Sequence, residues 1–151
     1  MARDSEGWTA VNVQFSVRLP TDAQSVPLVR GLLRQALGYL GVVEDGVEKV
    51  VLALTEACAN VVQHAGEHEE YQVDVAIDDD VCRISVVDDG QGFDLATAQD
   101  DARSALEGGR GLVLMRALVD RLDFVQDADG RHRVTLEKRL VTEPRLRLLP
   151  T

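Results

Sequence analysis

The order of hydrophobic patterns along the chain predicts an α+β fold, a two-layer α/β sandwich with helices on one face of a mostly antiparallel sheet. Three observations carry that expectation. Apolar residues alternate with polar ones in five short segments and recur at helical spacing in three longer ones. The segments follow the order strand, helix, helix, strand, strand, helix, strand, strand, with a glycine-rich loop before the last helix. At 151 residues the chain is long enough for one domain with a sizeable core.

Trp8 to Leu19 sets Val11, Val13, Phe15, Val17 and Leu19 against polar neighbours, the period-two pattern of a half-buried strand, and Pro20 with Thr21-Asp22 ends it. From about Ala23 to Leu40, Val26, Val29, Leu32, Leu33, Leu37 and Leu40 form the apolar stripe of an amphipathic helix. Asp22 or Ser25 can cap it, and Pro27 is tolerated in its first turn. A second helix is expected over about Glu44 to His64, terminated by Gly66. Tyr71–Ile77 and Val81–Val87 read as an antiparallel hairpin turning at Asp78-Asp79-Asp80. Periodicity then stops, and five of the twelve glycines fall between Asp88 and Gly111, the mark of a functional loop. Gly111 to Asp120 resumes helical spacing, and Asp123–Gln126 with His132–Val141 closes the chain as a hairpin around Asp129-Gly130. The expected organisation is an N-terminal extension (1–7), one domain (8–141) and a flexible tail (142–151) containing Pro144 and Pro150.

The formal net charge is −10, and twelve acidic residues against the single Arg83 lie between Glu67 and Asp101. No nucleic acid is expected as a partner, because phosphate neutralisation needs clustered Lys and Arg. No membrane is expected either: no window approaches 18 consecutive apolar residues, and MARDSEGW lacks the apolar core of a signal peptide. Cys58 and Cys82 sit apart in apolar patterns and are expected as reduced core residues of a cytoplasmic protein.

Three segments carry candidate chemistry. In Thr55-Glu56-Ala57-Cys58-Ala59-Asn60-Val61-Val62-Gln63-His64, the residues Glu56, Asn60 and His64 fall at i, i+4 and i+8, along one helix stripe. A solvated helix edge is the alternative reading. In Val86-Val87-Asp88-Asp89-Gly90-Gln91-Gly92-Phe93, a carboxylate ends an apolar strand before two alternate glycines. A fixed carboxylate there can accept a hydrogen bond from an exocyclic amine such as adenine N6, although tight turns and calcium loops also use this pattern. In Glu107-Gly108-Gly109-Arg110-Gly111-Leu112, glycines open a helix, whose exposed N–H groups and dipole favour phosphate.

The order E-x-x-x-N on a helix, D-x-G-x-G after a strand and G-x-G before a helix resembles the N, G1 and G2 boxes of the GHKL (Bergerat-fold) ATPases. Within that superfamily, A-L-T-E-A-C-A-N-V-V-Q-H-A and E-G-G-R-G-L-V-L-M-R-A-L-V-D are similar to the small bacterial anti-sigma-factor serine kinases of the RsbW and SpoIIAB type. The resemblance implies ATP and Mg²⁺ as cofactors, with Asp88 on the adenine amine and Gly90 and Gly92 shaping the base pocket. It places Gly108, Gly109, Arg110, Gly111 and Leu112 at the phosphates, with His64 near them. Asn60 becomes the magnesium ligand and Glu56 the general base for a serine hydroxyl. Phe93–Gly108 becomes an ATP lid, with Arg103 a weaker phosphate candidate beside Arg110. The implied partners are an anti-anti-sigma (STAS) protein as phosphoacceptor, a sequestered RNA polymerase sigma factor and a second copy of the chain in a homodimer. The alternative is a GHKL module that binds ATP and a protein partner without phosphotransfer.

Overall fold

The computed structural model describes residues 13–64, 69–88, 110–126 and 130–143. In chain order they form β1 (Val13–Pro20), α1 (Ser25–Tyr39), α2 (Glu44–His64), β2 (Glu70–Asp78), β3 (Val81–Asp88), α3 (Arg110–Leu118), β4 (Arg121–Gln126) and β5 (His132–Arg139). Each segment of the sequence reading reappears as an element of the same type. Residues 8–12 of the expected first strand lie outside the described residues. The strands make one sheet in the order β1-β2-β3-β5-β4, with every neighbouring pair antiparallel.

Local chemistry explains the element boundaries. After Pro20 ends β1, the Asp22 carboxylate accepts from the backbone N–H of Gln24 at 2.9 Å and of Ser25 at 3.2 Å, satisfying donors that the start of α1 leaves open. Gly41, with φ 78°, turns the chain from α1 to α2 in a conformation that costs glycine nothing. Asp79 takes φ 57° in the tight turn between β2 and β3, where a short polar side chain tolerates the left-handed region.

The strand register stacks side chains in rows across the helix-facing side of the sheet. One row is Phe15, Val75, Ile84, Leu136 and Leu122; the next is Val17, Val73, Val86, Val134 and Phe124. Over these rows lie the buried positions of α2, which include Val47, Val50, Val51, Leu54, Ala57, Cys58 and Val61. α2 is the central helix, packed against α1 and α3. On α1 the buried residues are Ser25, Val29, Leu33 and Leu37, whereas Leu32 of the expected stripe is 39% exposed. The reason is geometric: the contact arc on α1 is a narrow i, i+4 line, and Leu32 falls outside it with Leu28 and Tyr39.

Cys58 and Cys82 are free and buried, as expected. Beyond β5 the chain is held to the turn after α1: Val42 bridges to Thr142, and the N–H of Glu143 donates to the Gly41 carbonyl at 2.8 Å. The described backbone is thus anchored past position 141; residues 144–151 lie outside the description.

Candidate active site

α2 needs its inner face for the core, so Glu56 and Asn60 fall on the flank that meets α3, where both are half-buried. Gly111, in the first turn of α3, sits directly on them. A Cβ placed there would lie 2.9 Å from Glu56 Oε1, 3.5 Å from Asn60 Nδ2 and 3.6 Å from Asn60 Oδ1. Only a residue without a side chain lets the start of α3 approach both groups while leaving the carboxylate where it is. Two of the three sequence segments therefore meet at one point.

The start of α3 has the properties of an anion site. Its first turn contains no acidic residue, so no carboxylate of its own occupies the positive end of the helix. The first N–H groups of any helix lack intrahelical acceptors. Leu112 contributes backbone alone, because its side chain is buried in the core cluster. His64 is the last residue of α2, half-buried, and lies in the terminal turn where a partial positive charge is favoured. Arg110 opens α3. Gly90, Gly92, Gly108 and Gly109, together with Arg103 and the expected lid, lie outside the described residues.

Asp88 ends β3 with only 1% of its surface exposed. A carboxylate is rarely buried to this degree, since transfer from water is costly without a polar or charged counterpart. Its row across the sheet is Leu19, Tyr71, Asp88, His132 and Gln126. The two rows beneath it are wholly apolar, so the polar character of this end is a local departure from the sheet pattern.

Tyr71 ties that row to the Glu56–Asn60 helix. Its hydroxyl shares a 2.7 Å hydrogen bond with Ser25 Oγ and is hydrogen-bonded to the Cys58 thiol of α2. Burial pushes the Cys58 thiol up to about 12 and raises the Tyr71 phenol well above its ordinary value. The link is therefore neutral at physiological pH and adds no anion beside Asp88. Sequence reasoning missed both Tyr71 and His132 as site neighbours. The available signal was register: each is the polar-bearing member of an otherwise apolar alternation, at the end of its strand that reaches Asp88.

The arrangement can present a buried acceptor to a base, a helix start to phosphates, and a carboxylate and an amide together where a phosphoryl group would lie. A Cβ-free cradle over Glu56 and Asn60 fits a nucleotide with its metal ion, because the amide oxygen of Asn60 suits a hard cation.

The chain is similar to known proteins over most of its length. A family model described as the histidine kinase-like ATPase domain matches residues 19–138, a span containing Glu56, Asn60, Asp88 and Gly111. The serine-protein kinase RsbW of Bacillus pumilus is 31% identical over 123 residues, covering 72% of this chain and 76% of that kinase. RsbW of Bacillus subtilis is 29% identical over 128 residues, covering 77% and 79%. Among solved structures, that of the RsbU and RsbW domains of a Mycobacterium tuberculosis protein is similar with a TM-score of 0.66 at 25% identity. That match covers 87% of this chain and 33% of the longer mycobacterial one. The SiaB-SiaC complex from Pseudomonas aeruginosa shares the fold, with a TM-score of 0.57 at 19% identity over 84% of this chain and 89% of that one.

Proposed function

The chain belongs to the histidine kinase-like ATPase domain family, and from that membership we propose a division of labour among its residues. It is an ATP-using serine-protein kinase of the RsbW kind, an anti-sigma factor acting on an antagonist protein. In the proposed mechanism Asp88 accepts a hydrogen bond from the adenine amine, and the first turn of α3 receives the phosphates on its backbone N–H groups. Glu56 accepts the proton of a serine hydroxyl on the antagonist. The serine oxygen then bonds to the γ-phosphorus as the bond to the β–γ bridging oxygen breaks, leaving ADP.

Asn60 would hold Mg²⁺, which when bound neutralises charge on the phosphate oxygens. Among the described residues no group of three or more His, Cys, Asp or Glu could hold a metal, and in this reading Asn60 and the nucleotide hold the ion together. That joint site implies ATP affinity strongly dependent on magnesium. The phosphoacceptor in this reading is an anti-anti-sigma (STAS) protein, and the unphosphorylated antagonist displaces a sigma factor from a cytoplasmic homodimer. Exposed Leu28, Leu32 and Tyr39 on the outer side of α1 offer apolar surface for such protein contacts.

The observation that carries the reading is the seating of Gly111 on Glu56 and Asn60. The test is incubation with Mg²⁺ and γ-labelled ATP, with and without anti-anti-sigma proteins. Label appearing on a partner serine, and absent with Glu56→Ala, is the expected result. Nucleotide binding without transfer to any such partner overturns the kinase mechanism in favour of a module that only binds ATP.

A further inference from the structure

Tyr71 is fully buried, and its hydroxyl joins three elements of the fold. Ser25 Oγ donates to the Asp22 carbonyl at 2.7 Å and so has no hydrogen left for Tyr71. The phenol therefore donates to Ser25 across 2.7 Å, and its oxygen accepts from the Cys58 thiol. The donors run one way, from α2 through β2 to the start of α1. Of the buried residues of α2, only Cys58 has a side chain that can form a hydrogen bond; the others are glycine or aliphatic. Apolar contacts are non-directional and let a helix slide or turn in its seat, whereas a hydrogen bond weakens steeply with angle and distance. Cys58 stands midway between Glu56 and Asn60 in the sequence. Tyr71 is also the cross-strand partner of Asp88, on the same face of the sheet, where paired Cβ atoms are about 4.5–5.5 Å apart.

We propose that Tyr71 is a positioning residue: by holding Cys58 it fixes the rotation and axial position of α2, so that Glu56 and Asn60 stand within reach of a nucleotide whose base is bound at Asp88. The inference rests on the nucleotide-site reading above and deepens it. A nucleotide held at both ends demands one separation between the base acceptor and the helix that meets the phosphates. Tyr71 spans that separation, its backbone paired to the strand of Asp88 and its hydroxyl bonded to the helix of Asn60. Without the hydroxyl the apolar seat of α2 admits several positions, and binding has to select one of them. Asn60 meets the nucleotide only through magnesium in this reading, so the loss is confined to the magnesium-dependent part of ATP affinity.

The experiment is equilibrium binding of ATP to the full chain in EDTA and in excess Mg²⁺, at a temperature well below the melting midpoint of every variant. The wild-type chain is expected to bind more tightly with Mg²⁺. Tyr71→Phe keeps its affinity in EDTA within about twofold and loses about tenfold in Mg²⁺, the worth of one buried hydrogen bond. Cys58→Ala shows the same split, and Cys58→Ser, which keeps a donor, retains most of the magnesium gain. Combining Tyr71→Phe with Cys58→Ala loses no more than Tyr71→Phe alone, because both remove one bond. A general loss of stability would move both conditions together. An unchanged magnesium gain in Tyr71→Phe, an equal loss in both conditions, or a Cys58→Ser chain no better than Cys58→Ala overturns the inference while leaving the nucleotide site in place. A wild-type chain that binds no ATP, or binds it with no gain from Mg²⁺, overturns both.

Discussion

β3 runs from an acidic turn to a terminal carboxylate, and its two ends behave differently. At its start, Asp78, Asp79 and Asp80 form an exposed turn, with Asp80 paired to Arg139 at 2.9 Å in solvent. At its finish, Asp88 is buried, with 1% of its surface exposed. Eight residues of one strand thus join a solvated acidic turn to a buried acid. Local acidity gave the turn three exposed carboxylates; placement gave the other end one carboxylate that is almost fully buried. Charge density is therefore a poor guide here, while burial of a group that resists burial is a good one.

The largest expected effect belongs to the α2 carboxylate that Gly111 covers, and the next to the buried end of β3. Glu56→Ala lowers phosphotransfer by about 10²–10⁴ with ATP affinity nearly kept, as measured by single-turnover transfer and by binding. Asp88→Asn weakens ATP binding by about ten- to a hundredfold, the worth of a hydrogen bond to a charged group, while circular dichroism reports an intact fold. Were Asp80→Asn to weaken ATP equally, the contrast between the ends would collapse. Gly111→Ala comes next. The new methyl displaces the Glu56 carboxylate, whose Oε1 would stand at 2.9 Å, and lowers transfer on the order of tenfold through misplacement of the base. Thermal stability in that variant holds or rises, because Ala exceeds Gly in helix propensity by up to about 1 kcal/mol.

The thiols show where the two ends agree. Cys82 lies near the turn and Cys58 beside Tyr71, and burial pushes both from an ordinary 9.0 to about 12. A folded-state value raised above the unfolded one means stability that is complete below about pH 9 and is lost as pH climbs toward 12. In that window the unfolded chain releases thiol protons that the folded chain retains. Urea midpoints between pH 8 and 10 are expected to fall, each thiol contributing a slope of up to about 1.4 kcal/mol per pH unit above 9. Replacing Cys82 by Ala should flatten the slope without touching ATP affinity. The smallest effect is Asp80→Asn itself: stability changes by about 0.5 kcal/mol or less, since an exposed ion pair competes with water and salt.

The alternations and helical spacings made every element of the described fold legible, because each has one buried face and period follows from that face. Glu56, Asn60, Asp88 and Gly111 were legible as well, being residue types that a strand end or a helix interior does not use without reason. Sequence alone left two things hidden. The exposure of Leu32 depends on how much of α1 the neighbouring helix covers, which spacing cannot specify. The positions of Tyr71 and His132 beside Asp88 depend on a register joining residues far apart in the chain, with β5 rather than β4 lying next to β3.

The pairing of β1 with β2 bears on how the protein is made. Pro20 meets Glu70 and Val13 meets Ile77, so the first strand has no sheet partner until both following helices and a further strand exist. At roughly 5–20 residues per second of synthesis, β1 leaves the ribosome roughly 3–10 s before β2. Over that interval Phe15, Val17 and Leu19 form an open hydrophobic edge on the nascent chain. β1 itself carries Arg18, a charge placed where an unpaired strand is most at risk of joining another copy.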